Sequence, residues 1–287
     1  MTEERLETAP VSWSARIQLA HAAVQRVAEL NGIDLLHIKG YSLDPVLRVD
    51  RTSTDVDVLV RPQQVSDAIR AFQEVGWQYR IGFEAGSSFE HSMTLWHPIW
   101  GYLDVHRVFP GIPQDSFSAL WDARVGAPIG GLTCPTPDLI DQRITLILHA
   151  ARSFGSGRAD ADLRTAWFQA SSDEQQVIER RVDQLGARLG FDAAFGRLDA
   201  HRHEREYLLW KVASQGGTRA AEWRARVRAA RGPLAKLWLI ARAPLVNVEH
   251  LTNLRGRPPG IREIVREFFA RPVRAIRQEW QHWRSHA

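Results

Sequence analysis

The run Asp55-Val56-Asp57-Val58-Leu59-Val60 constrains this chain more than any other stretch. Side chains alternate across a strand, so Val56, Val58 and Val60 share one face and Asp55 and Asp57 share the other. The valine face requires a core to pack against. Aspartate is a poor strand former, and two carboxylates this close repel unless something cationic lies between them. A divalent cation that prefers hard oxygen ligands, Mg2+ or Mn2+, resolves that conflict. The plainer alternative is an edge strand carrying two solvated acids.

Two further segments fit the first. In Tyr102-Leu103-Asp104-Val105-His106 the period is again two, which puts Asp104 and His106 on one face and Leu103 and Val105 on the other. If this strand neighbours the Asp55 strand, Asp104 joins Asp55 and Asp57 in a cluster able to hold two metals ~3.5–4 Å apart, the clamp used for in-line displacement at phosphorus. His106 reads equally as an outer residue of that cluster or as a polar residue merely nearby. Upstream, Ile38-Lys39-Gly40-Tyr41-Ser42 is a strand end closed by glycine, where the backbone can approach a phosphate and offer N–H groups to it. Only three of the 37 basic residues are lysines, namely Lys39, Lys211 and Lys236. A lysine kept under such an arginine bias suits a compact point charge, here on a triphosphate oxygen. Arg48, Arg51, Ser53 and Thr54 lie in the connection and within reach of phosphates, although Arg48 and Arg51 also read as ordinary loop cations.

The surrounding pattern is a sheet with helices. A helix is expected over 12–31, capped by Ser12 or Ser14, then a buried strand over 33–40, a polar connection over 41–54 and the Asp55–Val60 strand. A helix over 63–75, strands over 77–81, 92–97 and 102–109, and a Gly/Ser-rich loop over 82–90 complete this half. A loop around 110–136 carries one hairpin, at Pro128–Pro135. From Pro137 onward the periodicity is helical, with breaks at Gly216-Gly217 and 255–260 and a last helix over 261–284. The expected organisation is therefore α+β: residues 1–136 as a unit with a mixed sheet and flanking helices, and residues 137–287 as a mostly helical unit.

Composition narrows the class. With 287 residues and 44% hydrophobic content, the chain can bury a core without staples. One cysteine, Cys134, excludes an internal disulfide framework and a Cys-rich zinc site, and a reducing, cytoplasmic setting follows as the expectation. No apolar run approaches the ~20 residues of a membrane span, and the acidic N-terminus lacks the apolar stretch of a secretory signal. Residues 218–287 carry 15 Arg and Lys against 5 Asp and Glu, a balance of +10 in a chain of net +4. That segment suits a phosphate-rich partner or an anionic membrane, or else a solvated Arg face. His201-x-His203-Glu204 reads as an exposed helix segment, Asp160 and Asp162 as helix caps, and Trp96-His97-Pro98 as a pocket wall or a plain strand end.

These motifs together resemble the nucleotidyltransferase superfamily of the DNA polymerase beta type, in which a Gly-containing strand end precedes an Asp-h-Asp-h strand and a third acid follows on a later strand. Gly40-Tyr41, thirteen intervening residues (42–54), Asp55-Val56-Asp57-Val58 and Asp104 occupy those positions. Tyr41 stands where the pattern has Gly or Ser, and Lys39 where it has a hydrophobic residue. With that departure, LLHIKGYSL, STDVDVLV and LDVHR look like the bacterial uncharacterised nucleotidyltransferase family carrying Lys-Gly, Asp-h-Asp and a later Asp-h-His. The resemblance spans about residues 20–165. It implies a nucleotidyltransferase-like sheet, Asp55, Asp57 and Asp104 as catalytic and metal-holding acids, and Lys39, Gly40 and, with less weight, His106 around the nucleotide, where Ser42, Ser53 and Thr54 are expected from their place beside the glycine and in the connection. It extends with less weight to His149, at the end of a leucine-rich helix. The implied reaction moves an NMP from an NTP to a hydroxyl of a small molecule, a peptide or protein, or an RNA. The acceptor and the oligomeric state are not specified. A degenerate domain that binds RNA or another partner is the alternative.

Overall fold

The computed structural model describes residues 11–48, 53–242, 259–263, 265–268, 270 and 280. Helix α1 (Trp13–Leu30) starts at Ser12, whose Oγ accepts the N–H of Ala15 and satisfies one orphan donor of the first turn. Strand β1 (Leu35–His37) follows, then two 3-10 turns at Gly40–Ser42 and Pro45–Leu47. Next come β2 (Asp55–Val60), α2 (Val65–Glu74), β3 (Gln78–Ile81) and a single helical turn, α3 (Phe83–Gly86). Strands β4 (Ser92–His97) and β5 (Gly101–His106) form a hairpin, followed by α4 (Phe117–Asp122) and a second hairpin, β6 (Val125–Ile129) and β7 (Leu132–Thr136). The rest is helical: α5 (Leu139–Ala150), α6 (Gly157–Leu163) with a π-helical turn at Arg164–Phe168, α7 (Ser172–Gln184), α8 (Arg188–Ala194), α9 (Tyr207–Gln215), α10 (Arg219–Ala229) and α11 (Pro233–Arg242). The architecture is α+β, as the sequence pattern required.

The main sheet has five strands in the order β1-β2-β5-β4-β3. Strands β2 and β5 run parallel and every other pair is antiparallel, so the sheet is mixed. Its two faces have different fates. Val56, Val58 and Val60 join Leu103, Val105, Leu95 and Leu35 in a core closed by Ala20, Val24 and Ala28 of α1 and Phe72 of α2. The opposite face carries Leu36, Ile38 and Leu59 into a second core, which is filled mainly from the helical half: Ile144 and Leu148 of α5, Ile178 and Val182 of α7, Phe191 of α8 and Trp210 of α9. Buried apolar side chains of this kind contribute about 1.5–3 kcal/mol each before the entropy cost of ordering them. The acids of β2 and β5 lie on this second face, where the helical half is stacked.

Charged contacts fix the helices to the sheet and to one another. Asp141 of α5 is fully buried and accepts two bonds from Arg181 of α7, each 2.7 Å. Arg226 of α10 pairs with Glu90 ahead of β4, and Arg242 of α11 with Glu84 of α3.

Several expectations need correction. The connection over 41–54 is not merely polar, because its 3-10 turns bury Leu43 and Leu47 in the second core. The loops over 82–90 and 110–136 contain α3 and α4, too short for periodicity to reveal. Asp160 and Asp162 do not cap α6. Ser156 does, accepting the Ala159 N–H, while Asp162 is fully buried against His149 Nδ1 at 2.8 Å. His201 is not on an exposed helix but closes a 3-10 turn, held between Asp192 and Glu204 at 2.8 and 2.5 Å. Trp96-His97-Pro98 is a strand end, with His97 Nδ1 accepting the Ile99 N–H. Residues 255–258 of the break expected at 255–260, Arg51 and most of the last helix lie outside the described residues.

Truncating one partner of a buried ion pair strands the other without compensation. Asp141→Ala should therefore lower the unfolding free energy by about 3–5 kcal/mol in denaturant titration, whereas Asp199→Ala, in the exposed pair with Arg202, should leave it nearly unchanged.

Candidate active site

The register of β2 against β5 builds the site. Asp57 lies directly opposite Asp104, and Leu59 opposite His106, across the parallel pair. Strand periodicity puts Asp55 and Asp57 on the same side as Asp104 and His106. The antiparallel β4 adds Thr94 opposite Asp104, and the Thr94 hydroxyl donates to Asp104 Oδ1 at 2.6 Å. From the β1 side, Lys39 Nζ donates to Asp57 Oδ1 at 2.7 Å, while His106 Nε2 donates to the same oxygen at 2.8 Å. Ligand atoms of Asp57, Asp104 and His106 all lie within 4.8 Å of one another, the spacing of a metal-capable cluster. Asp55 stands at the mouth of this group, half-buried and outside that 4.8 Å set.

The electrostatics of the three acids differ. For Asp57, burial favours protonation, but Lys39 and the His106 hydrogen bond outweigh it and hold the carboxyl well below the usual range. Asp104 is pushed up to about 6 by burial and by the charge on Asp57, against the Thr94 bond. Asp55 is raised by burial and by Asp57, with Lys39, Thr54 and Arg158 acting the other way. His106 is lowered to about 4 by burial, against its bond to Asp57, and is neutral near pH 7. A neutral imidazole donating through Nε2 leaves Nδ1 without a proton, and that buried atom has no partner among the described residues. Lys39 thus pairs with Asp57, and among the described residues Asp55 and Asp104 form no ion pair of their own. Asp57, Asp104 and His106 could together hold a metal ion, and the carboxylate oxygens are of the kind that hard divalent cations prefer.

The helical half supplies an outer ring. Arg152, just beyond α5, donates from Nη1 to His91 Nε2 at 3.3 Å, and the His91 ring lies 5.1 Å from that of His106. Burial lowers Arg152 to about 10, and its Nη2 is buried without a partner among the described residues. His91 is oriented by Ser87 Oγ at 2.6 Å from Nδ1. Beneath the sheet, on the α1 side, His21 and His37 share a 2.8 Å contact between their Nδ1 atoms.

The structure brings the expected residues to one place in varying roles. Gly40 has φ +61°, and a Cβ there would run into the Ser53 side chain, so glycine is needed for both reasons. Ser42 is buried and its hydroxyl donates to Lys39 O at 2.8 Å; Ser53 Oγ donates to Asp55 O at 2.8 Å. Both hydroxyls shape the loop. Thr54 is exposed, with Oγ1 3.5 Å from Asp55 Oδ1. Arg48 is committed to the Tyr41 and Leu43 carbonyls at 3.1 and 2.8 Å, which makes it a loop staple. His149 is tied to Asp162 rather than to the acid cluster. Thr94, His91 and Arg152 were missed. Thr94 was within reach of the sequence, since counting back through the β4–β5 turn puts it opposite Asp104.

A cavity of 1160 Å³ opens elsewhere, between residues 107–115 and the helices α8 to α11, and none of Lys39, Asp55, Asp57 or Asp104 lines it.

No protein-family model matches the chain, and no curated protein matches it. Among solved structures it is similar to the antibiotic-resistance factor ANT(2'')-Ia at 14% identity and TM-score 0.45, covering 67% of this chain and 99% of that one. It is also similar to the lincosamide antibiotic adenylyltransferase LnuA bound to lincomycin, at 14% identity and TM-score 0.34, over 58% and 96% of the two chains. The third is an antigenic nucleotidyltransferase-like protein from Paracoccidioides brasiliensis, at 18% identity and TM-score 0.37, over 65% and 95%. These likenesses are loose, with every TM-score below 0.5.

The raised carboxyl makes a signed prediction. A group whose folded pKa exceeds its unfolded value favours folding when protonated, so its penalty is absent below about pH 4 and grows as pH rises to about 6. In chelator, Asp104→Asn, which keeps an acceptor for Thr94, should raise Tm by a few degrees near neutral pH, on a scale of roughly 2–4 °C per kcal/mol. The difference should vanish in acid. Equal Tm values at both extremes would remove the strained carboxylate.

Proposed function

We propose that this chain is a metal-dependent nucleotidyltransferase that moves an NMP from an NTP to a hydroxyl acceptor. The observation that carries the proposal is the register pairing of Asp57 with Asp104, beside Asp55 and within reach of a single lysine. Asp55, Asp57 and Asp104 would hold Mg2+ or Mn2+. When bound, the cations neutralise phosphate charge and increase the acidity of the acceptor hydroxyl.

The chain's own groups do the rest. Lys39 is partly exposed through its contact with Asp57, so its ammonium can turn toward a triphosphate oxygen once that carboxylate has another counter-charge. Gly40 keeps the strand end open to the phosphates. Thr54, exposed at the head of β2, is positioned for the nucleotide, while Ser42 and Ser53 hold the loop. His106 orients Asp57 through its 2.8 Å bond. Asp104, fixed by Thr94, is placed to take the acceptor proton. Catalysis by such groups is positioning and charge stabilisation. Residues 1–136 would supply the chemistry and residues 137–287 the wall on the acceptor side. On this reading the chain belongs to the DNA polymerase beta type superfamily and to the bacterial family that its Lys-Gly, Asp-h-Asp and Asp-h-His motifs resemble.

A second reading is favoured by one contact. Lys39 already sits on Asp57 at 2.7 Å, where a permanent lysine counterion would serve a degenerate, partner-binding domain. The two readings part on turnover. Incubated with each NTP and Mg2+ or Mn2+, the full chain should release pyrophosphate or label itself. Asp57→Asn should lower that rate by at least about 100-fold, the scale of losing one preorganised electrostatic group. A wild-type chain that neither turns over nor binds a nucleotide in a metal-dependent manner would overturn the enzymatic reading. RNA or protein binding unchanged by Asp57→Asn would then establish the second.

A further inference from the structure

We propose that the open end of the acid face is the acceptor subsite, and that the acceptor is a small alcohol in which a flat ring, stacked on Tyr102, is joined to a hydroxyl-bearing one. This rests on the nucleotidyl-transfer reading above. The register carries one row of side chains across four strands: Asp55 lies opposite Tyr102, Tyr102 opposite Trp96, and Trp96 opposite Gln78. Directly opposed residues point to the same side of a sheet, and so do residues two apart on a strand. The row therefore shares the face of Asp57, Asp104 and Thr94. Exposure falls along β5, from Tyr102 at 49% through half-buried Asp104 to buried His106. Arg152 and His91 close the His106 end, so a substrate reaches the acids from the Tyr102 end.

The row is shaped for a flat ligand. The register of β3 shifts between Tyr79 and Ile81, and Arg80 between them lays its guanidinium 4.7 Å from the centre of the Trp96 ring. Arg80 Nη2 donates to Gln78 Oε1 at 3.2 Å, which engages one of its five N–H donors. Trp96 is thereby covered, whereas the Tyr102 ring is open to solvent and Arg80, itself exposed, keeps donors for oxygen substituents of a ligand.

The direction of the reaction selects the occupant. Lys39 and Gly40 lie on the β1 side of the acids, where the triphosphate belongs, so pyrophosphate leaves toward β1. In-line displacement brings the attacking hydroxyl from the opposite side, over Asp104 from β4 and β3. The acceptor oxygen bonds to the α-phosphorus, the bond from that phosphorus to the pyrophosphate oxygen breaks, and the hydroxyl proton passes to Asp104. Tyr102, Trp96 and Arg80 stand on that incoming side. Three strand spacings of ~4.8 Å separate Asp55 from Gln78, a span of ~14 Å, which suits two linked rings. A polyanionic acceptor is disfavoured, because the row offers one cation, Arg80, among the described residues and adjoins three carboxylates rather than a basic track.

The test is ligand-observed proton NMR with the full chain and three probes: adenosine, phenyl β-D-glucoside and, lacking the flat ring, methyl β-D-glucoside. Saturation should pass from the protein to the aromatic protons of adenosine or of phenyl glucoside, and the one that binds tells a nucleoside from a glycoside. Tyr102→Ala should weaken that binding by about fivefold or more, the lower end of what one aromatic stack contributes, while Tyr102→Phe should retain it. Should Tyr102→Ala lower Tm, Tyr102→Leu keeps the bulk without the ring face and should weaken binding likewise. A chain that releases pyrophosphate from NTP but binds neither ring-bearing probe, binds all three probes alike, or binds them regardless of Tyr102 would overturn the subsite and leave nucleotidyl transfer standing. Binding that depends on Tyr102 in a chain that turns over no NTP would overturn the acceptor role. An oligoadenylate that binds through Tyr102 far more tightly than adenosine would overturn the small acceptor.

Discussion

Like-charge repulsion between carboxylates on one face of a sheet is the constraint around which this molecule is arranged. Asp57 and Asp104 are opposed across a parallel pair that hydrophobic packing holds rigid from the other side, so they cannot move apart. Lys39 and His106 relieve Asp57, and Thr94 relieves part of Asp104. The rest of the strain appears in the raised carboxyls of Asp55 and Asp104. A protein keeps such an arrangement at a cost in stability, which makes sense where the missing counter-charge arrives with a ligand.

The helical half is part of the site. It closes the acid face with the second core, and it places Arg152 against His91 beside His106, so a buried guanidinium backs the imidazole that orients Asp57. Arg152 Nη2 and His106 Nδ1, both buried and without a partner among the described residues, are a donor and an acceptor left close to the same site. A polar, partly satisfied environment of this kind is sensitive to small displacements. Packing of α5 on the sheet is therefore expected to influence the geometry of the acids as well as global stability.

Much of this was legible because strand periodicity is a strong local signal. The alternation in Asp55–Val60 and in Tyr102–His106 assigned each side chain to the correct face before any pairing was known, and the pairing then made one cluster of two motifs. Contacts between distant segments were not legible. Arg152 meets His91 across 61 positions, and nothing local in the sequence encodes that contact, whereas the contact of His106 with Asp57 was one of two readings its strand face allowed. Asp162 misled for the opposite reason. Its position near a helix start suggested capping, yet tertiary burial against His149 determined its role. The 3-10 turns at 40–47 were hidden because single turns carry no periodicity.

If these acids converge on a cation, the chain must bind one, and Mn2+ binding read by electron paramagnetic resonance tests that without requiring knowledge of the acceptor. The wild-type chain should remove free Mn2+ saturably, and Asp104→Asn should weaken the affinity by at least about tenfold, the lower end of what losing support at a metal site costs. No saturable uptake by the wild type, or equal uptake by wild type and variant, would contradict a cation site between β2 and β5.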